Sequence, residues 1–177
     1  IKHGLILDFS LFQLFEEKQH DLIALDPDIT LDVVTRSMAI KANIVGQDEK
    51  ESSGRRILLN YGHTVGHALE SVTKYEKLLH GEAVSIGMMA AVRISKEMGL
   101  ISQEIVNRQE RLLRDFGLPI NSPGVDTGGV LTAIEFDKKV SGKKISWVLL
   151  EGIGSAVVRS DVPTEIVKDV VSSLSSL

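Results

Sequence analysis

Arg56-Ile57-Leu58-Leu59-Asn60-Tyr61-Gly62-His63-Thr64-Val65-Gly66-His67-Ala68-Leu69-Glu70 is the stretch on which the reading of this chain turns. Leu58, Gly62, Val65 and Leu69 recur at helical spacing, which predicts a helix over residues 56–70 with one apolar stripe. Arg56, Asn60, His63 and His67 then stand at i, i+4, i+7 and i+11 on the opposite face. A polar face of that kind is ordinarily turned to water and built from interchangeable Lys, Glu, Gln and Arg. This one offers a guanidinium, an amide and two imidazoles, which recognise anions and bind metal, so a solvated face and a functional one both stay open. His63 and His67 have the spacing of the helical two-His zinc pair. Thr64 follows His63 where a zincin carries its glutamate, which excludes that metalloprotease class.

Working outward, residues 71–79 read as a loop, and His80-Gly81-Glu82 opens a mostly buried helix over about residues 81–98. There Val84, Met88, Ala91 and Ile94 form the stripe, and small residues permit close packing. His80 either faces back toward the first helix or is a polar residue at a helix end. Upstream, a helix is expected over about residues 30–46, with Val34, Met38 and Val45 on one stripe. Lys41 shares that stripe, and either snorkels to solvent or points into a polar cleft beside Arg56 and Asn60. Residues 47–56 read as a loop, and Asp8 is placed to cap a short helix carrying Phe9, Leu11, Phe12 and Phe15.

Ser102 is expected to start a helix with Ile105, Gln109, Leu112, Leu113 and Phe116, stopped by Gly117-Leu118-Pro119. Residues 120–129 read as a loop and residues 130–136 as a short helix, followed by Asp137-Lys138-Lys139. Ile145, Trp147 and Leu149 alternate, and Glu151-Gly152-Ile153-Gly154 turns the chain into Ala156-Val157-Val158, a hairpin signal. Pro163 starts a terminal helix with Ile166, Val167, Val170 and Val171 inward. The expectation is one mainly α domain over residues 1–177 with a single small β-hairpin. Gly152-Ile153-Gly154 lacks the third glycine of a dinucleotide fingerprint and lies between two strands, and no alternation of strand and helix supplies a nucleotide-binding sheet.

The chain has 177 residues, 20 Lys+Arg against 24 Asp+Glu, 43% hydrophobic residues and no cysteine. Without cysteine there is no disulfide framework, thiolate nucleophile or Cys-type zinc finger, so any metal must be held by His, Asp or Glu. A net charge of -4 argues against nucleic acid or an anionic membrane as partner. The longest apolar stretch, residues 83–92, is well short of the ~20 needed to span a bilayer. The opening Ile1-Lys2-His3 carries no signal-peptide pattern, which predicts a cytoplasmic protein cut from something longer.

Lys41-Ala42-Asn43-Ile44-Val45, Asp48-Glu49-Lys50-Glu51, the stretch from Arg56 to Glu70 and Leu79-His80-Gly81-Glu82-Ala83-Val84 occur in an order that closely resembles the 3-dehydroquinate synthase family of the shikimate pathway. The likeness runs from Ile1-Lys2-His3-Gly4 to Asp137-Lys138-Lys139 and Ile153-Gly154. It implies the helical C-terminal domain of a two-domain enzyme, with an N-terminal NAD-binding domain absent from this chain. The implied reaction is a carbon–oxygen lysis dependent on NAD and zinc (or cobalt). It turns 3-deoxy-D-arabino-heptulosonate 7-phosphate into 3-dehydroquinate and phosphate through alcohol oxidation, phosphate loss, ketone reduction, ring opening and aldol closure. By the same resemblance His63 and His80 are metal ligands, and the third ligand, a glutamate, falls three residues before Lys2 and outside this chain. His67 and Glu51 match proton acceptors and Lys41 a further catalytic position. Lys2, Lys41, Arg56, Asn60 and a lysine of Lys138-Lys139 match substrate contacts, and full-length members are homodimers. The loop Ser52-Ser53-Gly54-Arg55 is one residue longer than usual, so Arg56 rather than Arg55 aligns with the family arginine.

Two anionic groups on the substrate account for the basic residues. Arg56 suits bidentate recognition of an oxyanion, Asn60 a hydroxyl, and Lys41 and Lys138 serve as point charges. The alternatives are a related sugar-phosphate cyclase, a metal-dependent polyol dehydrogenase, and a non-catalytic helical module whose histidines fill polar gaps. The chain by itself is expected to be inactive.

Overall fold

The computed structural model describes residues 1–48, 54–141 and 144–175, the side chains of 137–141 excepted. Helices α1 (Lys2–Leu7) and α2 (Phe9–Glu17) meet at Asp8. Its carboxylate accepts from the Leu11 amide at 2.9 Å, the cap expected from sequence. After α3 (Gln19–Ile23), Asp26 caps α4 (Pro27–Gln47) by accepting from the Asp28 and Ile29 amides, with Pro27 at the first helical position. Arg36 of α4 reaches back to Asp8 at 2.8 Å and fixes α4 against the start of α2.

The face of α4 is opposite to the one predicted. Val34 and Met38 are 47% and 67% exposed, while Ile44 is buried and Ile29, Val33 and Ile40 pack on the core. The helix carries two apolar stripes, and the period alone does not say which one meets the core. Lys41 therefore lies on the outward face.

The stretch that opened the analysis is not one helix. Residues Arg55–Asn60 form a 3-10 helix, Gly62 takes φ +81°, and α5 begins afresh at His63 and runs to Val72. A left-handed residue interrupts α-helical hydrogen bonding, so Arg56 and Asn60 do not continue the face of His63 and His67. Helix α6 (His80–Glu97) is the central element, buried along Ala83–Val92 and packed by α5, α7 (Gln103–Asp115), α9 (Thr164–Ser175) and the hairpin. Gly117, at φ +68°, ends α7 as predicted: its own amide donates to Arg114 and that of Leu118 to Leu113. Helix α8 (Thr127–Ser141) is longer than the expected short helix.

The predicted hairpin forms from β1 (Trp147–Gly152) and β2 (Ser155–Arg159), paired antiparallel with Leu149 opposite Val157. Trp147, Val148, Leu149 and Leu150 are all buried, so the expected inside–outside alternation is absent; α1, α6 and the 3-10 helix all pack on this strand. Gly154, at φ +84°, donates its amide to the Leu5 carbonyl at 2.8 Å. The turn is thereby seated on α1, whose Lys2 reaches the Leu59 carbonyl of the 3-10 helix. No described helix is long and apolar enough to cross a membrane.

Candidate metal and anion site

Three glycines bring the histidines together. A β-carbon on Gly87 of α6 would lie 1.9 Å from the Gly62 carbonyl oxygen, and one on Gly66 would lie 3.2 Å from the Ala83 carbonyl oxygen. Only hydrogen fits at Gly87, so α5 and α6 approach backbone to backbone at their N-terminal ends. His63 and His67 lie one turn apart at the start of α5, and His80 is the first residue of α6. The ring centroids are 5.3 Å apart for His63–His67, 5.5 Å for His63–His80 and 6.0 Å for His67–His80. Two imidazoles at 5.5 Å can share one ion through bonds of about 2.1 Å.

The hydrogen bonds set which nitrogen each ring offers. His63 Nδ1 lies 3.2 Å from the Tyr61 carbonyl oxygen, and His80 Nδ1 lies 3.0 Å from Glu70 Oε1. Both partners accept from the rings, so each Nδ1 carries a proton, and a ring in that tautomer keeps its lone pair on Nε2. A metal-ligating imidazole is ordinarily held this way by a carbonyl or carboxylate behind it. Burial, then the Lys2 ammonium, hold the His63 pKa down to about 4, so this ring is neutral at physiological pH. The Tyr61 carbonyl is itself anchored: the Tyr61 hydroxyl donates to Gln109 Oε1 at 2.8 Å, and Gln109 Nε2 donates to the Met88 carbonyl at 2.9 Å, all buried.

Beside the rings sits a cationic patch. Lys2 Nζ donates to the Leu59 carbonyl at 2.6 Å, and burial, then the Lys41 charge, lower its pKa to about 8. Burial, with Lys2 next, lowers that of His3 to about 4. The fold thus gathers His63, His67, His80 and Lys2, with Lys41 within electrostatic reach. Arg56 and Asn60 lie on the adjoining 3-10 helix with exposed side chains, and the Arg56 amide donates to buried Asp48 at 3.1 Å. Glu51 lies outside the described residues, as do the side chains of Lys138 and Lys139, whose backbone belongs to α8.

Glu70 is the site residue that sequence reasoning passed over. It stands at i+7 from His63 and i+3 from His67, a position the spacing could have flagged. Ligand atoms of His67, Glu70 and His80 all lie within 4.8 Å of one another. The donor set of imidazoles and a carboxylate suits zinc or cobalt.

The fold is shared with sugar-cyclase synthases of known structure. A 2-epi-5-epi-valiolone synthase from Streptomyces hygroscopicus subsp. jinggangensis 5008, solved with NAD+ and Zn2+ bound, superposes with a TM-score of 0.88 at 26% identity, over 98% of this chain and 48% of that one. A 2-deoxy-scyllo-inosose synthase, complexed with carbaglucose-6-phosphate, NAD+ and Co2+, shares the fold at a TM-score of 0.67 and 24% identity, over 80% of this chain and 41% of that one. Within that class the chain belongs to the 3-dehydroquinate synthase C-terminal family, whose model matches residues 1–140. A 3-dehydroquinate synthase of Nostoc punctiforme is 44% identical, with 98% of this chain and 48% of the relative covered. One of Thermoanaerobacter pseudethanolicus is 40% identical, with 95% and 47% covered. The chain spans about half the length of the curated relatives it matches.

Proposed function

We propose that this chain is the metal- and substrate-binding half of a 3-dehydroquinate synthase, acting on 3-deoxy-D-arabino-heptulosonate 7-phosphate to give 3-dehydroquinate and phosphate. The observation that carries the reading is the pairing of His63 and His80, each with Nδ1 engaged and Nε2 available, beside the Lys2 ammonium. His63 and His80 hold zinc or cobalt, with a third ligand and NAD supplied by a further, nucleotide-binding part of the enzyme. The metal, when bound, acts as a Lewis acid that acidifies a substrate hydroxyl.

This chain's own residues do the remaining work. Lys2 and Lys41 hold the anionic ends of the substrate over the 3-10 helix, joined by Arg56, Lys138 and Lys139, and Asn60 orients a hydroxyl. His67 exposes an imidazole one turn from His63, in place to accept a proton on a ring nitrogen from the substrate. Glu51 is a second proton acceptor. The enzyme works in the cytoplasm as a homodimer. Three features support the reading: the family membership, the bound NAD+ and metal in the related synthases, and the basic residues beside the rings.

A related sugar-phosphate cyclase is the second reading, favoured by the close superposition on the valiolone synthase. The two differ in whether the substrate carries a carboxylate. The test is phosphate release by this chain joined to an NAD-binding half. Release is expected from the heptulosonate phosphate, and a His67→Ala variant should lose ~10²–10⁴-fold in rate. Turnover of a neutral polyol, or of a sugar phosphate without the carboxylate in preference, overturns the assignment.

A further inference from the structure

Glu70 is a buried acid in α5, with its side chain 8% exposed, and an ionised carboxylate in such a place needs a proton donor. The donor it meets is His80 Nδ1, 3.0 Å from Oε1, on a ring that is itself 60% exposed. Ring contacts with His63 and His67 limit its rotation but do not set its tautomer. His63 repeats the arrangement with a backbone carbonyl, its Nδ1 lying 3.2 Å from Tyr61. The two rings, on different helices, thus turn the same nitrogen toward the protein and the same nitrogen outward.

From this pairing we infer that Glu70 is a positioning residue, which holds His80 in the Nδ1–H tautomer and presents Nε2 to the metal. The inference deepens the proposed metal site and rests on it. It opposes a direct role: were Glu70 Oε1 a ligand together with His67 and His80, a single ion among the three would take His80 through the nitrogen nearest that oxygen, Nδ1. The ring would then carry its proton on Nε2. The tautomer separates the two arrangements without reference to activity.

The experiment uses the full chain in two measurements. Long-range ¹H–¹⁵N imidazole spectra of the chain with and without bound Zn2+, taken at a pH above the ordinary imidazole range of about 6.5, report the His80 tautomer and which ring nitrogen takes the metal. The expected result is Nδ1–H in the wild type and in Glu70→Gln, whose amide oxygen still accepts, and loss of that preference in Glu70→Ala. Visible absorption of added Co2+ then reports affinity. Glu70→Ala should weaken it by ~10–100-fold, with Glu70→Gln in between. A wild-type His80 protonated on Nε2, or an unchanged tautomer in Glu70→Ala, overturns the positioning role. Equal loss of affinity in Glu70→Gln and Glu70→Ala does so as well. If Glu70→Ala does not fold, the near-isosteric Glu70→Gln variant carries the test, by an unchanged tautomer with intermediate affinity. If His63→Ala leaves Co2+ affinity unchanged while the tautomer pattern stands, the metal site fails and the orienting contact does not.

Discussion

Lys2 illustrates how much of a residue's chemistry lies outside its sequence context. Nothing near it in the chain hints at a depressed pKa, yet burial and Lys41, 39 positions away, bring it to about 8. The folded pKa lies below the ordinary 10.5, so the folded state resists protonation. The resulting destabilisation is fully present below pH 8 and is relieved as pH rises from about 8 toward 10.5. The expected outcome is a thermal midpoint that rises across that window in the wild type relative to Lys2→Met. Inorganic phosphate should raise the wild-type midpoint at neutral pH, a gain that fades above about pH 8; differential scanning calorimetry measures both. Glu70 escaped sequence reading for a related reason. A glutamate in a helix is ordinarily solvated, and its spacing from His63 and His67 does not show that it is buried against the His80 ring.

At the scale of elements, the crossing of α5 and α6 governs the site. The additional methyl in Gly87→Ala would meet a backbone carbonyl at 1.9 Å, which cannot rotate away. The variant is expected to lose at least the ~1–3 kcal/mol of ordinary overpacking and to weaken Co2+ binding by separating His63 from His80. Urea denaturation and cobalt absorption check the two effects. Tyr61→Phe tests the buried tie beneath His63. It strands Gln109 Oε1 and should cost ~1–3 kcal/mol in urea unfolding. The sequence predicted where most helices lie, and Asp8, Gly117 and the 152–154 turn did the punctuating expected of them. It misjudged the face of α4, where two apolar stripes compete. It also ran a single helix through Gly62, because a period of 3.6 does not register a left-handed residue.

For the whole molecule, the decisive feature is what the described residues build and what they do not. Their sheet is a two-stranded antiparallel hairpin, whereas a doubly wound dinucleotide site needs parallel strands with a phosphate-binding turn. The chain alone is therefore expected to give no turnover of the heptulosonate phosphate, and addition of an NAD-binding half should restore it. A coupled phosphate assay checks this, and full activity from the 177 residues alone would refute it. The sequence by itself determined the helical class, the hairpin, the ordered run of His, Lys, Arg and Asn, and through that run the family. These are properties of local periodicity and of order along the chain. Only the tertiary structure decided that Lys2 reaches Leu59, that His80 closes on His63, and that Glu70 stands behind His80. Those contacts depend on how closely two backbones approach, and the period that puts Gly62 in a stripe does not say which backbone it will meet.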